Sequence, residues 1–206
     1  HRYRNNAMIG KLILASGSPR RRELLAGLGW NFEVIPSNIA EKTKAGEPPA
    51  ALVKRLADEK ASDVASRCPG NWVLGADTVV AVDDKILGKP RSVEEAAAMI
   101  EELSGRTHSV FTGVALLAPD GRRLVRAEET RVTFRRLSKE DIDAYIALGE
   151  SMDKAGGYAV QERGTLLAER IDGCYFNVVG LPLFCVSQMF ADMGIALSAQ
   201  WRDKDE

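Results

Sequence analysis

Asp77 is the residue of this chain that most needs a chemical reason. It stands in WVLGADTVVAV, a run apolar on both sides, so its carboxylate leaves a strand otherwise committed to a core, near a strand bend expected at Gly75. A lone buried carboxylate is costly unless it is paired, protonated or bound to a metal. Two readings stay open: an Asp that caps a turn or pairs with a basic neighbour, and a catalytic Asp that orients water or holds a divalent ion. Lys60 is the second anomaly. At about 100° per residue in a helix, it projects into the arc held by Leu52, Val53, Leu56 and Val64. An ammonium there snorkels outward, pairs with a carboxylate, or reaches an anionic substrate. The third is LILASGSPRRRELLAGLG, where an apolar strand runs through a small-residue turn into Arg20, Arg21 and Arg22. With Ser18 as N-cap and Pro19 at the first helical position, Arg20 and Arg21 fall in the first turn. Free N–H groups and the helix dipole favour an anion there, and arginines are locally unfavourable unless one is bound. A phosphate-rich ligand would supply that charge; solvation, or pairing with Glu23 and other carboxylates, is the alternative.

Softer signals accompany these. GKP places Lys89 in a turn beside Pro90, and DKAGGYAVQ couples charge to two glycines that allow close backbone approach to a ligand. Glu41 lies in a polar segment, as a metal ligand or as a surface residue. Neither a GxxxxGK[ST] loop nor a GxGxxG fingerprint follows the first strand. Only His1 and His108 are histidines, which leaves little material for a histidine triad or a zinc site.

These residues must be positioned by 206 residues that are 45% hydrophobic, enough for one substantial core or two small lobes sharing a cleft. A net charge of −1 and an aromatic content of 6% argue against nucleic acid as a partner. Three scattered cysteines, Cys68, Cys174 and Cys185, make no disulfide framework and suit a reducing compartment, so a cytoplasmic location is expected. No run is long and apolar enough to suggest a membrane span. Residues 1–7 resemble a tag remnant or a disordered lead, and 8–206 are expected to form a single domain.

Strands are expected at 11–15, 31–36, 71–87 as a strand that continues into a hairpin around Asp83-Asp84, 107–118, 123–135, 165–171 and 174–179. Helices are expected from Ser18 to Gly29 with Leu24, Leu25 and Leu28 inward, through the segment around Lys60, from Ser92 to Gly105 with a capping box, from Ser138 to Gly149, and after Pro182. Asp120-Gly121 marks a second hairpin. Loose alternation interrupted by hairpins implies an α/β protein with a mixed, twisted sheet, flanking helices and two half-domains around a central cleft.

LASGSPRRRELL, PSNIAE, RLADEKA, GADTVV, GKPRS, LSGRTHSVFTGVAL, DKAGGYAVQERG and VVGLPL, taken in order over about residues 11–195, together resemble the Maf family of nucleoside triphosphate pyrophosphatases, historically septum-formation proteins. The resemblance implies the Maf/ITPase-like fold. It further implies cleavage of the α–β phosphoanhydride with a divalent cation, Mg²⁺ or Mn²⁺, and suggests a homodimer. By the same resemblance Asp77 matches the proton acceptor, Ser16 a substrate-contacting serine, and Glu41 the acidic residue near metal and phosphates. Arg20, Arg21, Lys60 and Lys89 could hold the triphosphate. Arg20, Thr78 and Gln161 match the branch acting on dTTP and UTP, where the 7-methyl-GTP branch usually has Trp, Gln and Glu. A glutamine amide can both donate to and accept from a uracil-type edge. Ala40 departs from the family, which often has an acidic residue there. The alternatives are a pyrophosphatase for 7-methyl-GTP or inosine-type nucleotides, and a non-catalytic regulator of septum formation.

Overall fold

A computed structural model describes residues 9–202. The expected lead at 1–7 lies outside the described residues. β1 (Leu12–Leu14), fully buried, pairs in parallel with β2 (Glu33–Val34) on one side and β3 (Trp72–Val82) on the other. Beyond β3 the sheet is antiparallel, through β5 (Thr107–Leu117), β6 (Arg123–Phe134) and β7 (Ala168–Asp172), while β4 (Lys85–Leu87) folds back onto β3. The turn between β3 and β4 has Asp83 at φ 53, a conformation that Asp tolerates better than most residues. The result is the expected mixed α/β sheet, seven strands with helices on its faces.

Helix α1 (Pro19–Gly27) follows β1, and α2 (Pro49–Arg67) lies across one face of the sheet. Its buried stripe is Leu52, Val53, Leu56, Ala57, Ala61 and Val64. Gly75 is no bend: it sits inside an unbroken β3, and a Cβ there would stand 2.6 Å from the Ala57 carbonyl oxygen. On β5, a Cβ at Gly113 would come within 2.1 Å of the Val53 carbonyl oxygen. Two side-chain-free positions therefore let α2 press onto the strands, bringing Lys60 within reach of β3.

The opposite face carries two cores. Leu12, Leu14, Trp72, Leu74 and Leu116 pack with Met189 and Phe190 of α6 (Leu183–Asp192). Val80, Val82, Val132 and Phe134 pack with Ile100 and Leu103 of α3 (Val93–Leu103) and Ile142 of α4 (Lys139–Ala147). These are the two expected halves, and long strands run through both. The division falls on β3 between Ala76 and Val80. At that level the β3 edge away from β5 is open, because β1 pairs only with 72–74 and β4 only with 80–82.

Several local expectations are corrected. CYFNVV, expected to be a strand, forms α5 (Tyr175–Val179), which Gly180 ends at φ 138. Its β-branched composition is overridden by Asn177, whose Nδ2 donates to the Val110 and Glu128 carbonyls and to Thr130 Oγ1. Leu28 is exposed, leaving Leu25 as the buried anchor of α1. Residues 162–167 coil as a 3₁₀ turn, so β7 begins only at Ala168. The Ser92 hydroxyl accepts from Glu95 N at 3.0 Å, but the Glu95 carboxylate returns to Arg91 N, one residue short of a closed capping box. The short α7 (Leu197–Gln200) is the last element among the described residues, and no helix among them is long and apolar enough to cross a membrane.

Candidate active site

The open stretch of β3 forms the floor of a cavity of about 480 Å³. Ser16, Arg20, Arg21, Glu41, Lys60, Asp77, Thr78, Lys89 and Gln161 all line it, so these nine residues, scattered along the sequence, reach one hollow, while Arg22 does not. Period-2 alternation sends Asp77 to the α2 face and Thr78 to the opposite face. Because no strand covers this edge, both remain accessible to one ligand.

On the α2 face, Lys60 Nζ lies 2.9 Å from Asp77 Oδ1 and 2.8 Å from Glu41 Oε1. Asp77 is 7% exposed, and its Oδ2 is buried with no hydrogen-bond partner among the described residues. Burial pushes the Asp77 carboxyl above its ordinary range, against the pull of Lys60 and Arg21. Glu41 behaves oppositely: burial works to raise it, but its bond to Lys60 and the charges of Lys60 and Lys89 bring it below the usual carboxylate value. Two neighbouring carboxylates with opposed shifts are suited to different tasks, one to accepting a proton and one to staying anionic.

On the other face the geometry is set by Arg21. Its Nε donates to the Gly180 carbonyl at 2.6 Å, one terminal nitrogen to Ser16 Oγ at 3.0 Å, and the other to Thr78 Oγ1 at 2.8 Å. Thr78 in turn shares a 2.9 Å bond with Thr112, whose hydroxyl donates to the Asn177 carbonyl. Burial lowers Arg21 from its ordinary value, with Asp77 opposing; a guanidinium nevertheless stays charged. Ser18 caps α1 as expected, its Oγ accepting from Arg21 N at 3.3 Å, and Pro19 occupies the first turn. That turn contains no acidic residue, so α1 offers its N-terminus and arginines to the cavity without an internal counter-charge. Arg20 Nε donates to the Val179 carbonyl at 3.4 Å.

Lys89 and Gln161 approach from the other half. Lys89 follows β4, and the adjacent Gly88 carbonyl accepts from Gly156 N at 3.0 Å, which ties this turn to the loop leading to Gln161. Four contributors escaped the sequence reading. Lys154 and Tyr158 line the cavity from within DKAGGYAVQ, a stretch noted only for its charge and glycines. Thr112 and Asn177, both 0% exposed, support Thr78 from behind. Polar residues inside apolar strand runs were the available signal.

Among the described residues there is no cluster of three or more His, Cys, Asp or Glu side chains placed to hold a metal. What exists is a pair of carboxylates, Asp77 with an unpartnered Oδ2 and Glu41 beside it. That donor set fits a hard divalent cation that shares its coordination with phosphate oxygens and waters, and it does not fit a dedicated all-protein cage.

Fold and site together define an α/β protein with a cleft lined by arginines and lysines around one buried carboxylate. The chain belongs to the Maf family, described as Maf-like protein, which matches residues 11–193. It is 52% identical over 188 residues to a dTTP/UTP pyrophosphatase of Moorella thermoacetica, covering 91% of this chain and 97% of that protein. It is 52% identical over 191 residues to a dTTP/UTP pyrophosphatase of Myxococcus xanthus, covering 93% and 95%. Among solved structures it is similar to the Staphylococcus aureus Ham1 protein at 12% identity and a TM-score of 0.42, over 61% of this chain and 72% of that one.

Proposed function

We propose that the protein hydrolyses nucleoside triphosphates, dTTP and UTP foremost, to the nucleoside monophosphate and pyrophosphate. The observation that carries this is the convergence of Asp77 with Arg20, Arg21, Lys60 and Lys89 on one cavity. Relatives at about half identity that bear the name dTTP/UTP pyrophosphatase support it. A triphosphate is concentrated negative charge, and the cations with the α1 N-terminus can cradle it. Asp77 takes a proton from water as the water oxygen bonds to the α-phosphorus; the bond from that phosphorus to the bridging oxygen breaks and pyrophosphate departs. Lys60 holds Asp77 in orientation through its 2.9 Å contact. Glu41, with Asp77 beside it, would hold a divalent cation, Mg²⁺ or Mn²⁺, which when bound neutralises charge on the phosphates.

Gln161 and Arg20 would face the base, since an amide can pair with the donor–acceptor edge of uracil or thymine. Thr78, bonded to Arg21 and Thr112, fixes the floor on which that end of the nucleotide rests. A homodimer in the cytoplasm completes the reading: the family resemblance supports the dimer, and the three free cysteines suit a reducing compartment.

The test is a panel of canonical and modified triphosphates incubated with pure protein and Mg²⁺, with products separated by ion exchange. UMP or dTMP with pyrophosphate is the expected outcome, abolished by EDTA. Release of orthophosphate would refute the stated bond cleavage. Preference for 7-methyl-GTP or inosine triphosphate would move the base assignment.

A further inference from the structure

Glu41 stands on a segment with no regular secondary structure between β2 and α2, and its side chain is about half exposed, 52%. A carboxylate so placed keeps its position only if the backbone beneath it is held, because an untethered loop would spread it over many conformations. Two side chains of α2, neither lining the cavity, hold that backbone. Asp63 Oδ2 accepts from Asn38 N at 2.9 Å and from Ser37 Oγ at 3.2 Å. Arg55 donates in bidentate fashion to the Glu47 carboxylate at 2.9 and 2.8 Å, and the nitrogen making the second bond also reaches the Lys42 carbonyl at 2.6 Å. Its remaining terminal nitrogen bonds Glu59 on its own helix at 3.1 Å, which pins the guanidinium. Arg55 and Glu47 are only 18% and 13% exposed, so this pair is shielded more than most surface pairs.

We propose that Arg55 is a positioning residue for Glu41: through Glu47 and the Lys42 carbonyl it latches the loop carrying that carboxylate onto the helix carrying Lys60. The inference rests on the role given to Glu41 above. The peptide Arg55 grips is the one that joins Glu41's neighbour to the rest of the loop, and Lys60 meets Glu41 itself at 2.8 Å. One helix thus sets both partners of the Lys60–Glu41 contact. With Asp63 gripping residues 37 and 38, the loop is anchored on both sides of Glu41.

Arg55→Ala and Glu47→Gln break the latch from either side, the second leaving α2 untouched. The loop contains Lys42 and Lys44, so limited trypsin digestion reads its freedom without any assay of turnover. Both variants are expected to be cut there several-fold faster than the parent protein. Both are expected to raise KM for the Mg²⁺–UTP substrate by about tenfold, with a smaller change in kcat. In a Glu41→Gln background the Arg55→Ala effect on KM should disappear, because the latch then has nothing to position. Unchanged cleavage at Lys42 and Lys44, or an equal loss of kcat/KM in both backgrounds, would overturn the proposal. A fully active Glu41→Gln would defeat the role given to Glu41, while the digestion would still decide whether the latch exists.

Discussion

Asp77 and Thr78 are neighbours on β3, yet they belong to different chemical regions. The α2 face around Asp77 is charged and unbalanced: two carboxylates share one ammonium, and a buried oxygen has no hydrogen-bond partner among the described residues. The opposite face around Thr78 is built from hydroxyls, an amide and one guanidinium whose bonds run into the backbone of β5, β6 and the α5 cap. One region is electrostatically unfinished and suited to reaction; the other is tied together and suited to holding shape. The open edge of β3 lets a single ligand touch both. Substitutions on the α2 face should therefore change rate more than stability, and substitutions behind Thr78 the reverse.

The largest effect among the surroundings of Asp77 is expected at Lys60. Lys60→Met removes the charge between both carboxylates and should lower kcat/KM by about 10²- to 10³-fold in steady-state assays. Should the loss appear only as reduced stability, the contrast between faces fails. Behind Thr78, Asn177→Ala strips three hydrogen bonds, two from buried acceptors and one from the partly buried Glu128 carbonyl. It should cost about 2–4 kcal/mol in urea unfolding, while the folded fraction keeps most of its kcat. His108, on the same face, donates to or accepts from Tyr158 at 2.7 Å and packs edge-on against Phe134. Burial depresses its pKa to about 4 from 6.5, so it is neutral when folded at pH 7. Its contribution is fully present above pH 6.5 and is lost as pH falls toward 4. The loss should reach about 3 kcal/mol at most, and the slope should flatten in His108→Gln. The smallest effect is expected at Thr112→Val, about 1 kcal/mol, measured the same way; a large fall in kcat there would show that the support network takes part in the chemistry.

Much of this arrangement was legible because the relevant signals were anomalies against strong patterns. Asp77 and Lys60 were visible as charges inside apolar periodicities, and the two meet at 2.9 Å. The α1 cap was legible from Ser18 and Pro19 alone. Gln161 carried no such contrast and came only from the family resemblance. Arg55 lay hidden because a latch joins a helix to a patternless loop, and no periodicity records which loop atom an arginine will meet. Gly75 was misjudged for a related reason: a glycine in a strand signals close approach as readily as a bend, and only the packing of α2 decides between them. CYFNVV failed because a six-residue run, apolar but for Asn177, does not separate strand from helix, and Asn177's bonds to two strands settled the outcome.

The claim that everything turns on is that Asp77 accepts the proton while its neighbours bind the phosphates. Kinetics and UTP affinity of Asp77→Asn, measured side by side on folded protein, address it directly. The account predicts a kcat about 10³-fold lower with a UTP dissociation constant nearly unchanged. Turnover near the parent rate, or a loss seen wholly in binding, would contradict it.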